Sequence, residues 1–241
     1  DQSASLGDTI ASAVSFAGTD LPRATLTGNP LRAELVAAAS ALRGPDAGPA
    51  RRTAREELGL PTDRPVVLVT TGSLGSQRVN DAVVALAARW SHRTDVAVRH
   101  VTGERDHASV VERVPDTRGL HYDVVPYDDR MAVSLAAADL AVTRAGAGTC
   151  TELAAFGVPA VMVPLPIATR DHQRANAAVL VEAGAAVLVP DDELDVDRLE
   201  RELDALLDDA PRRTAMAEAM AGEGRLDAAE RVAEVVEGAW S

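Results

Sequence analysis

The sequence predicts an α/β fold, a Rossmann-like parallel sheet of six strands. Two observations carry the prediction. From Val66 onward, short apolar runs alternate with segments of helix length, the pattern of successive βαβ units. Two of those runs end in glycine-rich turns that open helices, Gly72-Ser73-Leu74-Gly75-Ser76-Gln77 and Gly146-Ala147-Gly148-Thr149. In an open parallel sheet such turns lie at the carboxyl ends of strands, where ligands bind.

The elements follow in order. Asp8 to Phe16 reads as a short helix and Ala24 to Thr27 as a short strand. Gly28-Asn29-Pro30-Leu31-Arg32 is a turn before a helix from about Ala33 to Leu42, with Arg32 at the first helical turn. Arg43 to Pro49 reads as a Gly/Pro linker, and Ala50 to Leu58 as a polar helix with a solvated face. Strands are predicted at Val66–Thr70, Val96–Val101, His121–Val125, Leu140–Val142, Ala160–Val163 and Ala186–Val189. Helices are predicted near Arg78–Trp90, Ala108–Val114, Met131–Ala137, after Thr149, and from Asn176 to Ala183. Three more follow, at Asp195–Leu207, Arg212–Ala221 and Leu226–Glu237.

Composition narrows the function. The chain has 241 residues, enough for one large domain. Its net charge of −13 repels duplex nucleic acid and anionic membrane surfaces, so an anionic ligand needs local Arg residues and helix ends. Aromatics are 2% of residues, leaving Ala, Val and Leu to fill the core. A lone cysteine, Cys150, excludes an intramolecular disulfide, suits a reducing compartment and is expected to pack as a small apolar group. The sequence opens on Asp1 rather than Met, so a fragment or a processed chain is expected. The five His residues lack metal-ligand spacing, and no G-x-S-x-G elbow is present.

The second glycine turn is the stronger site candidate. Its small residues let backbone N–H groups approach an anion at a helix N-terminus, and Glu152 lies one turn along, at the same rim. Amides for phosphates and a carboxylate for ribose hydroxyls suit a nucleotide. The first turn is neither a Walker loop nor G-x-G-x-x-G; Ser73 is its candidate donor to phosphate. Arg144 either neutralises phosphate or pairs with Asp139. The polar loop Asp171-His172-Gln173-Arg174-Ala175-Asn176 suits sugar hydroxyls. His100 reads as a core or strand-end histidine.

Taken together, these pieces resemble the MurG family of glycosyltransferases, which add N-acetylglucosamine to undecaprenyl-linked muramyl-pentapeptide. The matching pieces are Gly28 to Arg32, Gly72 to Gly75, Asn80, His100-Val101-Thr102-Gly103, and Pro126-Tyr127 with Met131. They continue with Arg144 to Thr149, Glu152, Asp171-His172-Gln173 and Asn176-Ala177, in order over roughly residues 24 to 240. The resemblance implies the C-terminal, donor-binding half of a GT-B fold, with UDP-N-acetylglucosamine as substrate and no cofactor or metal. It implies that Ser73 and the amides of Ala147, Gly148 and Thr149 hold the diphosphate, with Arg32 near it. It further implies that the Asp128 backbone reads uracil, Glu152 takes the ribose, and His172 and Gln173 contact the sugar. Leu74 departs from the family's Gln and Gly148 from a larger apolar residue, which predicts a missing contact and a looser turn.

Residues 1–27 are expected to be a remnant of the family's N-terminal acceptor domain, and residues 28–241 the donor domain. By resemblance the undecaprenyl-linked acceptor binds through that other domain, and the whole enzyme is cytoplasmic, at the inner face of the membrane. Donor binding without transfer is the expectation for this chain. The alternatives are another GT-B glycosyltransferase, a sugar-nucleotide 2-epimerase, or a non-catalytic nucleotide-binding module.

Overall fold

A computed structural model describes residues 27–72, 75–166 and 172–238. The helix read at Asp8–Phe16, and all but the last residue of the strand read at Ala24–Thr27, lie outside these residues, as does Ser73. The order begins α1 (Ala33–Leu42), α2 (Ala47–Glu57), β1 (Val66–Thr70), α3 (Gln77–Arg89), β2 (Ala97–Val101), α4 (Glu104–Val111), β3 (His121–Val125) and α5 (Met131–Ala137). It continues β4 (Leu140–Thr143), α6 (Ala147–Phe156), β5 (Ala160–Met162), α7 (His172–Glu182), β6 (Ala186–Leu188), α8 (Val196–Leu207), α9 (Ala210–Gly222) and α10 (Ala228–Gly238). The six strands form one sheet in the order β3-β2-β1-β4-β5-β6, and all pairs are parallel. This is the predicted Rossmann-like sheet.

Burial on both faces explains the apolar strands. In β1, Val66 and Leu68 enter one core while Val67 and Val69 enter the other. The first core is closed by α1, α5, α6 and α7, the second by α3 and α8. The helix after β1 thus packs on one face and the helix after β4 on the other. Their connections part at the carboxyl ends of these adjacent strands, the topological switch point where open sheets hold ligands. On the second face α8 buries Leu199, Leu203 and Leu206, and its N-terminus is capped by Asp195, which accepts from the Arg198 N–H at 2.7 Å.

Two expectations about the N-terminal half are corrected. The linker read at Arg43–Pro49 is shorter, because α2 starts at Ala47. Pro49 is compatible with a first helical turn, where a backbone N–H has no helical partner to lose. Nor is the Arg face of α2 wholly solvated. Arg55 is buried and Arg51 half-buried, and they reach Asp139 at 2.5 and 2.8 Å. They also donate to the carbonyls of Ala137 (3.0 Å, from Arg55) and Ala138 (2.8 Å, from Arg51), at the C-terminus of α5. Cations at that end satisfy orphan carbonyls and complement the helix dipole. Smaller shifts occur at α4, which begins at Glu104 rather than near Ala108, and at α7, which begins at His172 rather than after Asn176.

On the second face β2 carries His100, fully buried as expected. Its Nε2 lies 2.9 Å from Asn80 Oδ1 and its Nδ1 2.8 Å from the Tyr122 hydroxyl. The Asn80 amide nitrogen donates to Thr102 O, so its oxygen accepts and His100 Nε2 carries the proton. Burial pushes the imidazole pKa down to about 3, so it is neutral in the folded chain. The unfolded His takes up a proton near 6.5, and the folded one does not until about 3. Its contribution is therefore complete above about pH 6.5 and drains away as pH falls towards 3. Unfolding titrations should show about 1.4 kcal/mol less stability at pH 5.5 than at 7.5 from this residue. His100→Gln should flatten that slope.

Candidate functional site

A cleft of about 240 Å³ opens at the switch point. Its floor is apolar: Leu68 and Ala141 from the sheet, Leu135 and Met131 from α5, and Leu153 from α6. Its rim is polar and glycine-rich, formed by Arg32, Thr70, Gly72, Gly103, Thr149 and Glu152. Pro126, Tyr127 and Asp128, between β3 and α5, complete the wall. An apolar slot beside converging amides and one carboxylate matches the two ends of a nucleotide.

Both glycine corners meet here. In the first, the Gly75 N–H donates to the Gly72 carbonyl at 3.0 Å, and both glycines have positive φ (73° and 78°). A Cβ on Gly103, itself at φ 83°, would lie 2.5 Å from Gly75 Cα. The corners after β1 and β2 therefore touch through bare backbone, and neither Gly75 nor Gly103 accepts a side chain. Thr71 and Asn80 both donate to the Thr102 carbonyl, at 2.8 and 3.1 Å, pinning the contact. Ser73 lies outside the described residues, but Gly72 beside it lines the cleft.

The second corner caps α6 with Gly146, whose ψ of 146° is extended, and no acidic residue fills the first turn. The amides of Ala147, Gly148 and Thr149 precede the first intrahelical bond, Cys150 N–H to Gly146 O at 2.9 Å, so they have no partner within the helix. Thr149 reaches the cleft wall; Ala147 and Gly148 share its turn without lining the cleft. A Cβ on Gly148 would meet nothing within 4 Å, so a methyl group fits there without displacing a neighbour. Gly148→Ala should raise stability by about 0.4–1 kcal/mol through the unfolded chain's lost freedom, read as a shifted urea midpoint. Cys150 is buried in the first core, and burial pushes its thiol up to about 12, as an apolar packing role requires.

Glu152 stands at the rim one turn further on, half-buried. Among the described residues its carboxylate has no hydrogen-bond partner. Burial raises its pKa, and the Arg32 guanidinium acts in the opposite direction. Arg32, at the N-terminus of α1, is exposed and pairs with Glu34 at 3.2 Å.

Several sequence expectations land differently. Arg144 pairs neither with Asp139 nor with the cleft. Its guanidinium bonds Asp191 at 2.6 Å, Ser76 Oγ at 2.6 Å and the Val163 carbonyl at 3.0 Å, clamping together the ends of β1, β4, β5 and β6. His172 and Gln173 sit in the first turn of α7, not in a loop, and do not line the cleft. Gln173 Oε1 accepts from the Ala145 and Leu165 N–H groups at 3.2 and 2.9 Å, and among the described residues its NH2 has no hydrogen-bond partner. Asn176 donates to the Ala145 carbonyl at 3.0 Å, so it too braces the second corner.

Sequence reading missed the partners of Asp128. The Asp128 carboxylate turns inward to Arg99 and Ser134 rather than to solvent. The signal was present: an Arg inside a strand buried along its whole length needs a counter-charge.

Comparison with known proteins gives the family and the fold. Residues 66–232 match the Glycosyltransferase family 28 C-terminal domain. A relative from a Nocardioides species is 42% identical over 224 residues, and one from Acetivibrio thermocellus 34% identical over 219. Both carry the name UDP-N-acetylglucosamine–N-acetylmuramyl-(pentapeptide) pyrophosphoryl-undecaprenol N-acetylglucosamine transferase. The alignments cover 93% and 90% of this chain but only 59% and 56% of those relatives, so the chain spans a little over half their length. Among solved structures, Acinetobacter baumannii MurG superposes with a TM-score of 0.67 at 30% identity, over 78% of this chain and 53% of that one. WaaG, a glycosyltransferase of lipopolysaccharide biosynthesis, shares the fold at TM-score 0.62 and 18% identity, over 96% of this chain and 61% of its own. The sheet is that of the C-terminal half of a GT-B glycosyltransferase, and the chain belongs to the family of glycosyltransferase family 28 C-terminal domains.

Proposed function

We propose that this chain is the donor-binding part of an inverting hexosyltransferase that moves N-acetylglucosamine from UDP-N-acetylglucosamine to an undecaprenyl-linked muramyl-pentapeptide, the step from lipid I to lipid II. The observation that carries the proposal is one shared cleft: two glycine corners, an apolar slot and a carboxylate with no hydrogen-bond partner among the described residues face the same space. The names of the relatives support the choice of donor and acceptor.

In this reading the uracil lies in the apolar slot against the Tyr127–Asp128 main chain. Glu152 accepts hydrogen bonds from the ribose hydroxyls. The diphosphate rests on the amides of Ala147, Gly148 and Thr149, with Ser73 from the first corner and Arg32 over the rim. These amides are fixed by the fold before the ligand arrives. They stabilise the charge that grows on the diphosphate as the glycosidic bond to UDP breaks, without reorganisation during the reaction. His172 and the Gln173 NH2 contact the sugar. The acceptor, and any general base, belong to the upstream domain expected from residues 1–27. Among the described residues no helix is long and apolar enough to cross a membrane. In this reading the whole enzyme works in the cytoplasm against the inner membrane face.

Calorimetric titration of the 241-residue chain tests the proposal. UDP-N-acetylglucosamine should bind, UDP-glucose more weakly, ADP not measurably, and no sugar should be transferred. Equal binding of ADP and UDP would overturn it. Equal binding of the two UDP-sugars would favour a glycosyltransferase with another donor.

A further inference from the structure

The wall segment between β3 and α5 is a loop, and loops of this kind are ordinarily the softest part of a site. Here it is tied from two elements, β2 and α5. Arg99, in β2, donates from Nε and Nη2 to Asp128 Oδ2 at 3.2 and 3.0 Å, and from Nε to Ser134 Oγ at 2.8 Å. Ser134, in α5, donates its hydroxyl to the same carboxylate oxygen. The other oxygen, Oδ1, accepts the Arg130 N–H at 2.9 Å, which starts α5. Arg99 also pairs with Asp123, its direct neighbour in the β2–β3 register. All three members, Arg99, Asp128 and Ser134, are buried, at 5%, 6% and 1% exposure.

With its carboxylate held in this way, Asp128 has only main chain to give the cleft it lines. Among the described residues neither its N–H nor its carbonyl has a backbone partner. A main-chain N–H beside a carbonyl is a donor next to an acceptor. Uracil offers the complement, a ring N–H beside a carbonyl oxygen. Cytosine presents a ring acceptor beside an amino donor, the opposite order, and would leave buried groups facing like groups. A loop free to slide could satisfy either base; a pinned one cannot.

We propose that Arg99 and Ser134 are positioning residues which, through the Asp128 carboxylate, fix the Tyr127–Asp128 main chain at one setting and thereby make the cleft selective for uracil. The inference rests on the reading that the cleft holds a nucleoside diphosphate. A purely structural ion pair would support α5 and the sheet edge, but its loss would lower affinity for every nucleotide alike.

The test titrates the 241-residue chain, Arg99→Met and Ser134→Ala with UDP and with CDP, and melts each protein without ligand. The parent should prefer UDP by at least about tenfold, as expected where a polar site rejects a mismatched edge. Arg99→Met should bind UDP about tenfold more weakly with CDP little changed, so the preference collapses; Ser134→Ala should move the same way by about threefold. Should Arg99→Met fail to fold, Ser134→Ala decides. A folded variant that keeps the parent's UDP-to-CDP ratio overturns the proposal, as does a parent without preference. A parent that binds neither nucleotide overturns the nucleotide reading itself.

Discussion

Replacing Glu152 with alanine should weaken UDP binding by about 1–3 kcal/mol, roughly 5- to 150-fold, the loss expected for a charged acceptor serving ligand hydroxyls. The same change should stabilise the unliganded protein at neutral pH. Both effects come from one feature, a carboxylate half-withdrawn from water with no hydrogen-bond partner among the described residues. Burial raises its pKa, and Arg32 opposes the shift without cancelling it. For a carboxyl whose folded pKa lies above its unfolded value, the contribution to stability is fully present below the unfolded pKa and is lost as pH rises through the folded one. Ligand binding runs the other way, because hydroxyl donors favour the ionised form. UDP affinity should therefore rise with pH as the carboxyl ionises, from above the ordinary Glu value of about 4.3, while the Glu152 contribution to unliganded stability falls over the same interval, opposite in sign to that of His100. Glu152→Gln should remove the Glu152 part of each slope and leave the His100 slope in stability. Calorimetry and urea unfolding across pH 4–8 read the two directly.

Asp139→Ala should cost about 3–5 kcal/mol of stability, the penalty for leaving buried charge without its partner. Asp139 Oδ2 accepts from Arg55 at 2.5 Å and from the Val66 N–H at 2.7 Å, and Oδ1 accepts from Arg51 at 2.8 Å. One carboxylate thus ties α2 to the first strand and to the end of α5. Burial lowers the Arg55 pKa, with Asp139 opposing. Removing Asp139 leaves a buried guanidinium whose remaining partners are carbonyls, among them Ala137 and Arg64 at 3.0 and 3.2 Å. Against a typical stability of 5–15 kcal/mol, such a loss takes the chain close to unfolding. The double variant Asp139→Leu with Arg55→Met should lie nearer the parent, since no charge is then stranded. Urea unfolding at neutral pH separates the two outcomes.

The sheet was legible because β1, β4, β5 and β6 are short runs dominated by Val, Ala and Leu, and because helix-length segments separate all six strands. A strand covered on both faces has no other composition open to it, and the parallel order follows from the intervening helices. Gly72, Thr149 and Glu152, which line one cleft, were legible as a candidate site because small residues at a helix start, followed by a carboxylate, have few purely structural uses in combination. What escaped was the pairing of charges. Arg144 beside a glycine turn resembles a phosphate ligand in one dimension. Its true partners, Asp191 and Ser76, are 47 and 68 residues away and become neighbours only when the sheet assembles. The Arg face of α2 misled for the same reason, since Asp139 lies more than 80 residues downstream of Arg51 and Arg55. His172 and Gln173 were read as loop because polarity alone does not distinguish a loop from an exposed first helical turn.

The central claim is that the crevice between the ends of β1 and β4 holds a uridine diphosphate. Amide-resolved NMR during titration with UDP tests it most directly. Saturating UDP should shift the amides of Gly72, Gly103, Asp128 and Ala147 to Thr149, with Glu152 close behind. Shifts confined to other surfaces, such as the open groove between α3 and α8 near Arg78 and Val196, or no shifts at saturating UDP, would contradict it.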